Sequence, residues 1–314
     1  IPLRLVGSEM CRRDSLHGLD GLIQPAGPRG AATPDRDGLH RRDIIVMTSL
    51  MTGLTLATAH GAAAQVIQTD NVGLWASEVQ IPTGGAQIPA YAARPAGEGP
   101  FPTVLVIEEI FGVHDYIKDI CRRLAKAGYL AVAPELYARL ADLSKMTDVQ
   151  QIVRDVISKA PDDTMLSDLD ATVAWARAEG RGDTTRLGVT GFCRGGRNTW
   201  LYAARNPALK AAVAWYGPVG GGTSDIQPRT PTDVAAELKC PLLGLYGGAD
   251  QGIPVAQVQA AAEKARAAGR QVEIVVLPDA PHGFHADYRP SYRREAAEDG
   301  WRRMLAWFRD HGVA

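Results

Sequence analysis

The chain contains few cysteines and few aromatic residues, and its opposite charges almost cancel. Its 314 residues include 4 cysteines and 6% aromatic residues, and the formal net charge is -1. Cysteines this sparse do not form the framework of a small disulfide-stabilised protein. A charge this close to zero provides no broad attraction for nucleic acid, so we expect no nucleic-acid partner.

Three sequence patterns are also missing. The chain shows no internal repeat and no glycine-rich phosphate loop. Its main apolar run, which starts at Ile44, extends for roughly 14 residues, which is short for a membrane span. We therefore expect no stable membrane anchor. Hydrophobic residues make up 46% and charged residues 22%, as in an ordinary globular enzyme.

The first 64 residues differ in composition from the rest. Residues 1–40 are rich in Arg, Gly, Pro and Asp, which predicts disorder or translation from upstream of the true start. Residues 41–64 combine paired arginines, an apolar run and three alanines, which is typical of a twin-arginine-like export signal. We expect periplasmic export, or a cytoplasmic protein if translation starts near Met47.

After the signal, apolar strands alternate with helices. We predict strands over residues 78–81, 88–94, 103–107, 130–133, 186–190, 210–215, 241–246 and 272–277. We predict helices over residues 116–127, 165–179, 197–205, 255–268 and 292–310. This alternation indicates an α/β fold, a mainly parallel sheet of about eight strands with helices on both faces. The first two strands are expected to form an antiparallel edge hairpin.

The pentapeptide Gly-Phe-Cys-Arg-Gly at residues 191–195 stands between a predicted strand and a predicted helix. This is the spacing of a nucleophile elbow, with Cys193 at the position where serine is usual. The flanking glycines allow neighbouring backbone to pass close to the turn. Alternatively, Cys193 is a small buried hydrophobic residue, as most free cysteines are.

An acid and a histidine follow the elbow in the order that α/β-hydrolases require. Asp250 comes shortly after one predicted strand, and His282 lies in the loop after the next. Taken singly, Asp250 is typical of a turn and His282 of a surface loop. Together with Cys193 they predict a Cys-His-Asp triad.

Several motifs between about Val79 and Phe308 resemble those of the dienelactone hydrolase (carboxymethylenebutenolidase) family. They are Glu-Ile-Phe-Gly at 109–112, Ala-Pro-Glu-Leu-Tyr-Ala-Arg at 133–139, the cysteine elbow, Trp-Tyr-Gly at 215–217, and the Asp250 and His282 loops. The resemblance implies one α/β-hydrolase catalytic domain over residues 65–314. It also implies hydrolysis of a small ester or lactone, specifically one of dienelactone type, through an acyl-enzyme.

Each residue of the predicted triad would have its own role in the reaction. A free thiol is only slightly ionised at neutral pH, so Cys193 needs a base or a favourable field. The N-terminus of the following helix supplies part of that field. His282 would carry the proton and Asp250 would orient its ring. We expect the oxyanion to be bound by the backbone N–H groups of Ile110 and Arg194.

Glu109 is an unexpected neighbour for a thiol, because a carboxylate opposes thiolate formation. The resemblance implies a switch in which Glu109 keeps Cys193 a neutral thiol at rest and takes its proton when substrate binds. Glu109 could instead be an ordinary loop acid or the partner of Arg122 or Arg194. The neighbouring Glu108 complicates the assignment, although the Ile-Phe-Gly sequence that follows fixes the register on Glu109.

Substrate recognition is less well defined by the sequence. The resemblance places an arginine four residues after the triad histidine, where this chain has Ala286. Arg289, Arg154 and Arg194 are the candidate replacements for that cation. Further candidate substrate contacts are Tyr137, Trp215 and Phe284.

The predicted reaction requires no metal and no organic cofactor, and we expect a monomer that acts on a small-molecule substrate. Two other functions remain open. A general small-ester carboxylesterase would agree with Ala286 at the arginine position. A thiol redox or ligand-binding protein on a hydrolase scaffold would need Cys193 but neither Asp250 nor His282.

Overall fold

The computed structural model describes residues 66–314. The predicted upstream segment over 1–40 and the predicted export signal over 41–64 lie outside these residues. Within residues 66–314, no helix is both long enough and apolar enough to cross a membrane.

One sheet of eight strands organises the described part of the chain. The strands are β1 (Leu74–Thr83), β2 (Ala86–Pro95), β3 (Phe101–Ile107), β4 (Leu130–Pro134), β5 (Gly182–Phe192), β6 (Leu209–Trp215), β7 (Leu242–Gly247) and β8 (Val272–Leu277). Their order is β1-β2-β4-β3-β5-β6-β7-β8. The β1–β2 and β2–β4 pairs are antiparallel and the other pairs are parallel. The predicted α/β architecture and edge hairpin are confirmed.

Helices connect most of the parallel strands. They are α1 (Asp115–Lys126), α2 (Val149–Asp155), α3 (Asp162–Ala178), α4 (Arg194–Arg205), α5 (Pro231–Val234), α6 (Val255–Ala267) and α7 (Arg294–Asp310). Short 3-10 turns occupy Leu143–Lys145, Ile157–Lys159 and Ala235–Glu237.

Several element boundaries differ from the sequence prediction, and two of these differences have a clear physical reason. Helix α3 begins at Asp162 rather than at Met165, because Pro161 caps the helix and two acidic residues occupy its first turn. Strand β1 begins at Leu74 rather than at Glu78, because it pairs with β2 along its whole length. Cross-strand pairing thus extends β1 beyond its apolar residues.

The core lies on both faces of the sheet. Alternate residues of β3 point to opposite sides, as strand geometry requires. Val104 and Val106 pack with α1 and α7 residues, whereas Leu105 and Ile107 pack with α3 and α4 residues. The central strands are therefore buried on both faces and form a rigid support.

The carboxyl ends of four strands position the predicted site residues. Glu108 and Glu109 follow β3, and Cys193 follows β5. Asp250 comes three residues after β7, and His282 comes five residues after β8. Because parallel strands end at the same edge of the sheet, these side chains meet there.

Candidate active site

Cys193 occupies a strained turn between β5 and α4. Its φ of +54° and ψ of -117° lie in a region that non-glycine residues rarely adopt. Its N–H donates to the Trp215 carbonyl at 3.0 Å, which ties the turn to β6. A Cβ on Gly195 would lie 2.3 Å from the Ile107 carbonyl oxygen, so glycine is required there.

Cys193, His282 and Asp250 form a hydrogen-bonded row. His282 Nε2 lies 3.2 Å from Cys193 Sγ, and His282 Nδ1 lies 2.7 Å from Asp250 Oδ2. Asp250 Oδ1 accepts hydrogen bonds from the N–H groups of Gly252 at 2.8 Å and Ile253 at 3.2 Å. The structure thus brings together the three predicted triad residues, all of them buried.

The charge state of His282 follows from its two neighbours. Burial alone would lower its pKa, but contact with Cys193 and the hydrogen bond to Asp250 raise the pKa to about 10. The imidazole is therefore held in the protonated form that stabilises negative charge on the adjacent sulfur. Such a row can support nucleophilic attack followed by proton transfer.

Two backbone donors lie beside the sulfur. Ile107 of β3 pairs with Gly191 of β5, so the loops that carry Ile110 and Cys193 are adjacent. Arg194 is the first residue of α4, and its N–H points along the positive end of that helix. Among the described residues, neither the Ile110 N–H nor the Arg194 N–H has an acceptor. Both are available to an oxyanion.

Glu109 is fully buried in a cage of polar side chains. Tyr288 Oη donates to Glu109 Oε2 at 2.7 Å, and Arg289 Nη2 lies 3.3 Å from Oε1. His114 Nε2 lies 3.4 Å from Oε2. Burial would raise the pKa of Glu109, but Arg289, His114 and Tyr288 together hold it at about 2. The carboxylate is therefore ionised, and the positive charge of Arg289 balances its negative charge.

The contacts in this cage exclude both arginines that the sequence offered as partners of Glu109. Arg122 pairs with Asp119, and Arg194 donates to Gln227, so neither is its partner. Glu109 makes no hydrogen bond to Cys193 Sγ in this structure. The carboxylate is thus directed toward Arg289 and Tyr288 rather than toward the thiol.

Sequence reasoning missed several aromatic residues around this cage. The His114 ring lies 5.0 Å from the Tyr288 ring, centroid to centroid. Tyr116 Oη lies 2.7 Å from His285 Nδ1. Tyr216, at a φ of +35°, packs its ring edge-on against His282 at 5.2 Å. The Trp-Tyr-Gly motif was the one sequence signal for Tyr216.

The candidate substrate contacts are placed in different surroundings. Arg289 lies in the Glu109 cage, and Tyr137 is fully buried on the loop after β4. Arg154 lies on α2, where its exposed side chain pairs with Asp155 at 3.0 Å. It is outside the buried cluster.

Two further candidates pack beneath the site. The Trp215 indole N–H donates to Thr190 Oγ1 at 3.1 Å, and its ring stacks on Phe192. Phe284 is fully buried against Tyr216. These rings support the loops that carry Cys193 and His282.

The described part of the chain contains no group of three or more His, Cys, Asp or Glu residues arranged to hold a metal ion. Its three cysteines, Cys121, Cys193 and Cys240, are all free and buried. Burial raises the pKa of Cys121 above its usual range and that of Cys240 to about 12. Cys193, which contacts a histidine, therefore has a different environment from the other two.

Comparison with known proteins gives a consistent family assignment. The model of the dienelactone hydrolase family matches residues 88–312. A predicted carboxymethylenebutenolidase of Methylorubrum extorquens is 61% identical over 88% of this chain and 94% of its own length. One from Escherichia coli K12 is 51% identical over 80% of this chain and 92% of its own length.

Solved structures agree with this assignment. The crystal structure of a predicted dienelactone hydrolase from Klebsiella pneumoniae is 53% identical, with a TM-score of 0.74, and covers 75% of this chain and 98% of that protein. A dienelactone hydrolase-like promiscuous phosphotriesterase from metagenomic libraries, at 21% identity and a TM-score of 0.64, covers 76% of this chain and 99% of its own. At that identity the likeness concerns the fold alone.

Proposed function

Because the chain belongs to the dienelactone hydrolase family, we propose that it hydrolyses a small ester or lactone with Cys193 as the nucleophile. The observation that carries this proposal is the Cys193–His282–Asp250 row, with distances of 3.2 Å and 2.7 Å, on a strained elbow. The family places the enzyme among carboxylic ester hydrolases. In this proposal, each triad residue has a defined role in the reaction.

In the first half of the reaction, the Cys193 thiolate attacks the substrate carbonyl carbon and forms a C–S bond. The carbonyl oxygen becomes an oxyanion, which the N–H groups of Ile110 and Arg194 stabilise. The C–O bond of the ester then breaks, and protonated His282 donates its proton to the departing alkoxide. A thioester to Cys193 remains.

In the second half, water attacks the thioester while His282 accepts a proton from it. The C–S bond breaks, the acid is released, and the thiolate is restored beside protonated His282. Asp250 keeps the ring in the correct tautomer throughout, because its second oxygen is fixed by Gly252 and Ile253. With a lactone, the alcohol formed by ring opening stays on the same molecule as the acyl group, so hydrolysis of the thioester releases a single hydroxy acid.

We also propose that Glu109 acts as a switch on the thiol. Its charge is balanced by Arg289 and Tyr288 in the structure. In the proposed resting state the proton stays on Cys193 beside protonated His282. A substrate group that competes for Arg289 would release the Glu109 carboxylate to take that proton, and Glu109 would return it to the restored thiolate when the product leaves. Glu109→Gln should then lower turnover without preventing acylation by an activated ester.

The substrate that we propose is a carboxylate-bearing lactone of dienelactone type. Its support is the family assignment and the buried Arg289, which brings a cation to the site although Ala286 occupies the expected position. A general carboxylesterase is the second candidate, because Glu109 already engages Arg289. The two candidates differ in whether dienelactone is preferred to a simple aryl ester.

The test is hydrolysis of dienelactone and of 4-nitrophenyl acetate by the full chain. We expect lactone turnover to exceed ester turnover and both to be lost in Cys193→Ala. Cys240→Ala is the matched control, because Cys240 is buried two residues before β7. Ester turnover without lactone turnover would support the carboxylesterase. Equal activity in Cys193→Ala would contradict the mechanism, and no hydrolysis of either substrate would favour the redox or binding alternative.

Export is proposed separately from residues 41–64. A periplasmic location that is lost in Arg41→Lys/Arg42→Lys, as seen by cell fractionation, is the expected result. A cytoplasmic wild-type protein would favour translation from near Met47.

A further inference from the structure

We propose that Arg194 and Tyr137 form a subsite for an anionic group of the substrate. This subsite is distinct from the Glu109–Arg289 pair, since it is built from other loops and has a different charge balance. The ligand class is a carboxylate carried by the acyl part of an ester or lactone, a few bonds from the reacting carbonyl. This inference deepens the proposed function and rests on it.

Arg194 directly follows Cys193, and its side chain is only 12% exposed. Its Nη2 donates to Gln227 Oε1 at 2.7 Å and lies 3.9 Å from Asp162 Oδ1. Its Nε is buried and has no hydrogen-bond partner among residues 66–314. The guanidinium of the residue that follows the nucleophile therefore has a donor, Nε, without a hydrogen-bond acceptor.

The charge of Arg194 is not matched by a carboxylate of its own. Arg197 binds Asp162 through two hydrogen bonds, at 2.7 Å and 2.8 Å. Gln227 is neutral, and its amide nitrogen is fixed by the carbonyls of Ile157 and Ala160. Two guanidinium groups thus share one carboxylate, which leaves an excess positive charge in a buried place.

Tyr137 supplies a second donor from a different loop. Its side chain is fully buried, no described residue accepts a hydrogen bond from its Oη, and this oxygen lies near the Arg194 guanidinium. Both Arg194 and Cys193 are among its electrostatic neighbours. A buried phenol without an acceptor is costly, and a carboxylate oxygen would provide that acceptor.

Arg289 has a different charge balance. Its guanidinium lies 3.3 Å from the Glu109 carboxylate, so an incoming anion must displace an existing partner. At Arg194 no such partner has to leave. An arginine with free donors binds carboxylate strongly in a buried place, so Arg194 is the cation that an anionic substrate meets unopposed.

Alkylation of Cys193 tests this subsite without requiring turnover. The rates of reaction with 4-iodobutyrate and with its neutral amide are compared in the full chain, with the modified cysteine located by mass spectrometry. We expect the wild type to favour the anionic reagent, and Arg194→Met to lower that preference about 10- to 100-fold. Tyr137→Phe should lower it by a smaller factor.

Three further variants make the result specific. Arg194→Lys keeps the charge and should keep most of the preference, which guards against a folding defect in Arg194→Met. Arg302→Met removes an exposed arginine on α7 and should leave the preference unchanged. Arg289→Met should retain a preference for the anion.

Kinetics with matched esters provide the second readout. Mono-4-nitrophenyl glutarate and its methyl ester differ by one carboxylate, and Arg194→Met should lower the ratio of kcat/KM for the first to kcat/KM for the second by about 10- to 100-fold. An equal fall for both esters, an unselective wild-type thiol, or loss of preference in Arg289→Met alone would overturn the subsite. Absence of Cys193-dependent hydrolysis would overturn the proposed function, and alkylation would still decide the subsite.

Discussion

Two buried arginines of the site, Arg289 and Arg194, differ in how their charge is balanced. Arg289 faces a buried carboxylate, Glu109, and shares the Tyr288 hydroxyl with it. Arg194 faces the neutral Gln227 and an aspartate that Arg197 already binds. The availability of a buried arginine to an incoming anion therefore depends on how many carboxylates surround it, not on its distance along the chain from the nucleophile.

The largest expected effect follows from removing the nucleophile or its base. Cys193→Ala should abolish ester and lactone hydrolysis, and His282→Ala should lower kcat by at least about a thousandfold, because each removes one end of the proton path. Steady-state assays with either variant check this. Retained kcat in His282→Ala would show that another base serves the sulfur.

The next effect is on stability and separates the two arginines. Arg289→Met leaves Glu109 buried without its main counter-charge and should lower the free energy of unfolding by about 3–5 kcal/mol. Arg194→Met leaves no carboxylate unpaired and should cost about 1 kcal/mol, the value of its hydrogen bond to Gln227. Urea denaturation measures both.

A double variant makes this test stricter. Glu109→Gln combined with Arg289→Met removes both charges and should recover part of the lost stability. Similar costs for Arg194→Met and Arg289→Met would remove the distinction between the clusters.

The difference in pH-dependent stability between wild type and Glu109→Gln reports on the Glu109 cluster. The pKa of Glu109 is about 2 in the folded protein and about 4.3 in an unfolded chain. A depressed carboxyl pKa contributes stability above the unfolded value, and this contribution is lost as pH falls through the folded value. The difference in unfolding free energy between wild type and Glu109→Gln should therefore shrink from about pH 5 to pH 2. A constant difference would contradict the ionised cage.

The smallest effects come from a matched pair of tyrosines. Tyr288→Phe removes a 2.7 Å hydrogen bond to Glu109 and should destabilise the protein by about 1–3 kcal/mol. Tyr137→Phe removes a hydroxyl that has no partner among the described residues, so its stability should be unchanged or slightly higher. Thermal unfolding compares the two, and equal losses would show that Tyr137 Oη is already satisfied.

The sheet and the Cys193–His282–Asp250 row could be predicted because their signals are local. Each strand is a short apolar run, and each of these three residues stands just beyond one of them. Parallel strands then bring their carboxyl ends to one edge whatever the details of the helices. The elbow spacing adds a steric requirement that a sequence displays directly.

The Glu109 cage could not be predicted, because it depends on where two distant loops meet. His114 comes from the loop after β3, whereas Tyr288 and Arg289 come from the segment before α7. No spacing rule links residues about 175 positions apart, and Arg289 stands three residues after Ala286, the position at which the family resemblance places an arginine. The sequence likewise could not show that Arg194 lacks a carboxylate partner of its own, because this depends on the hydrogen bonds between Arg197 and Asp162.

Trapping of the acyl-enzyme tests the central claim most directly. The full chain is mixed with excess 4-nitrophenyl acetate, quenched in acid within the first turnovers, digested and examined by mass spectrometry. The mechanism predicts an acetyl group on the peptide that contains Cys193, removable by hydroxylamine and missing in Cys193→Ala. Continued hydrolysis by Cys193→Ala, with no acetyl group on the wild-type peptide, would contradict it.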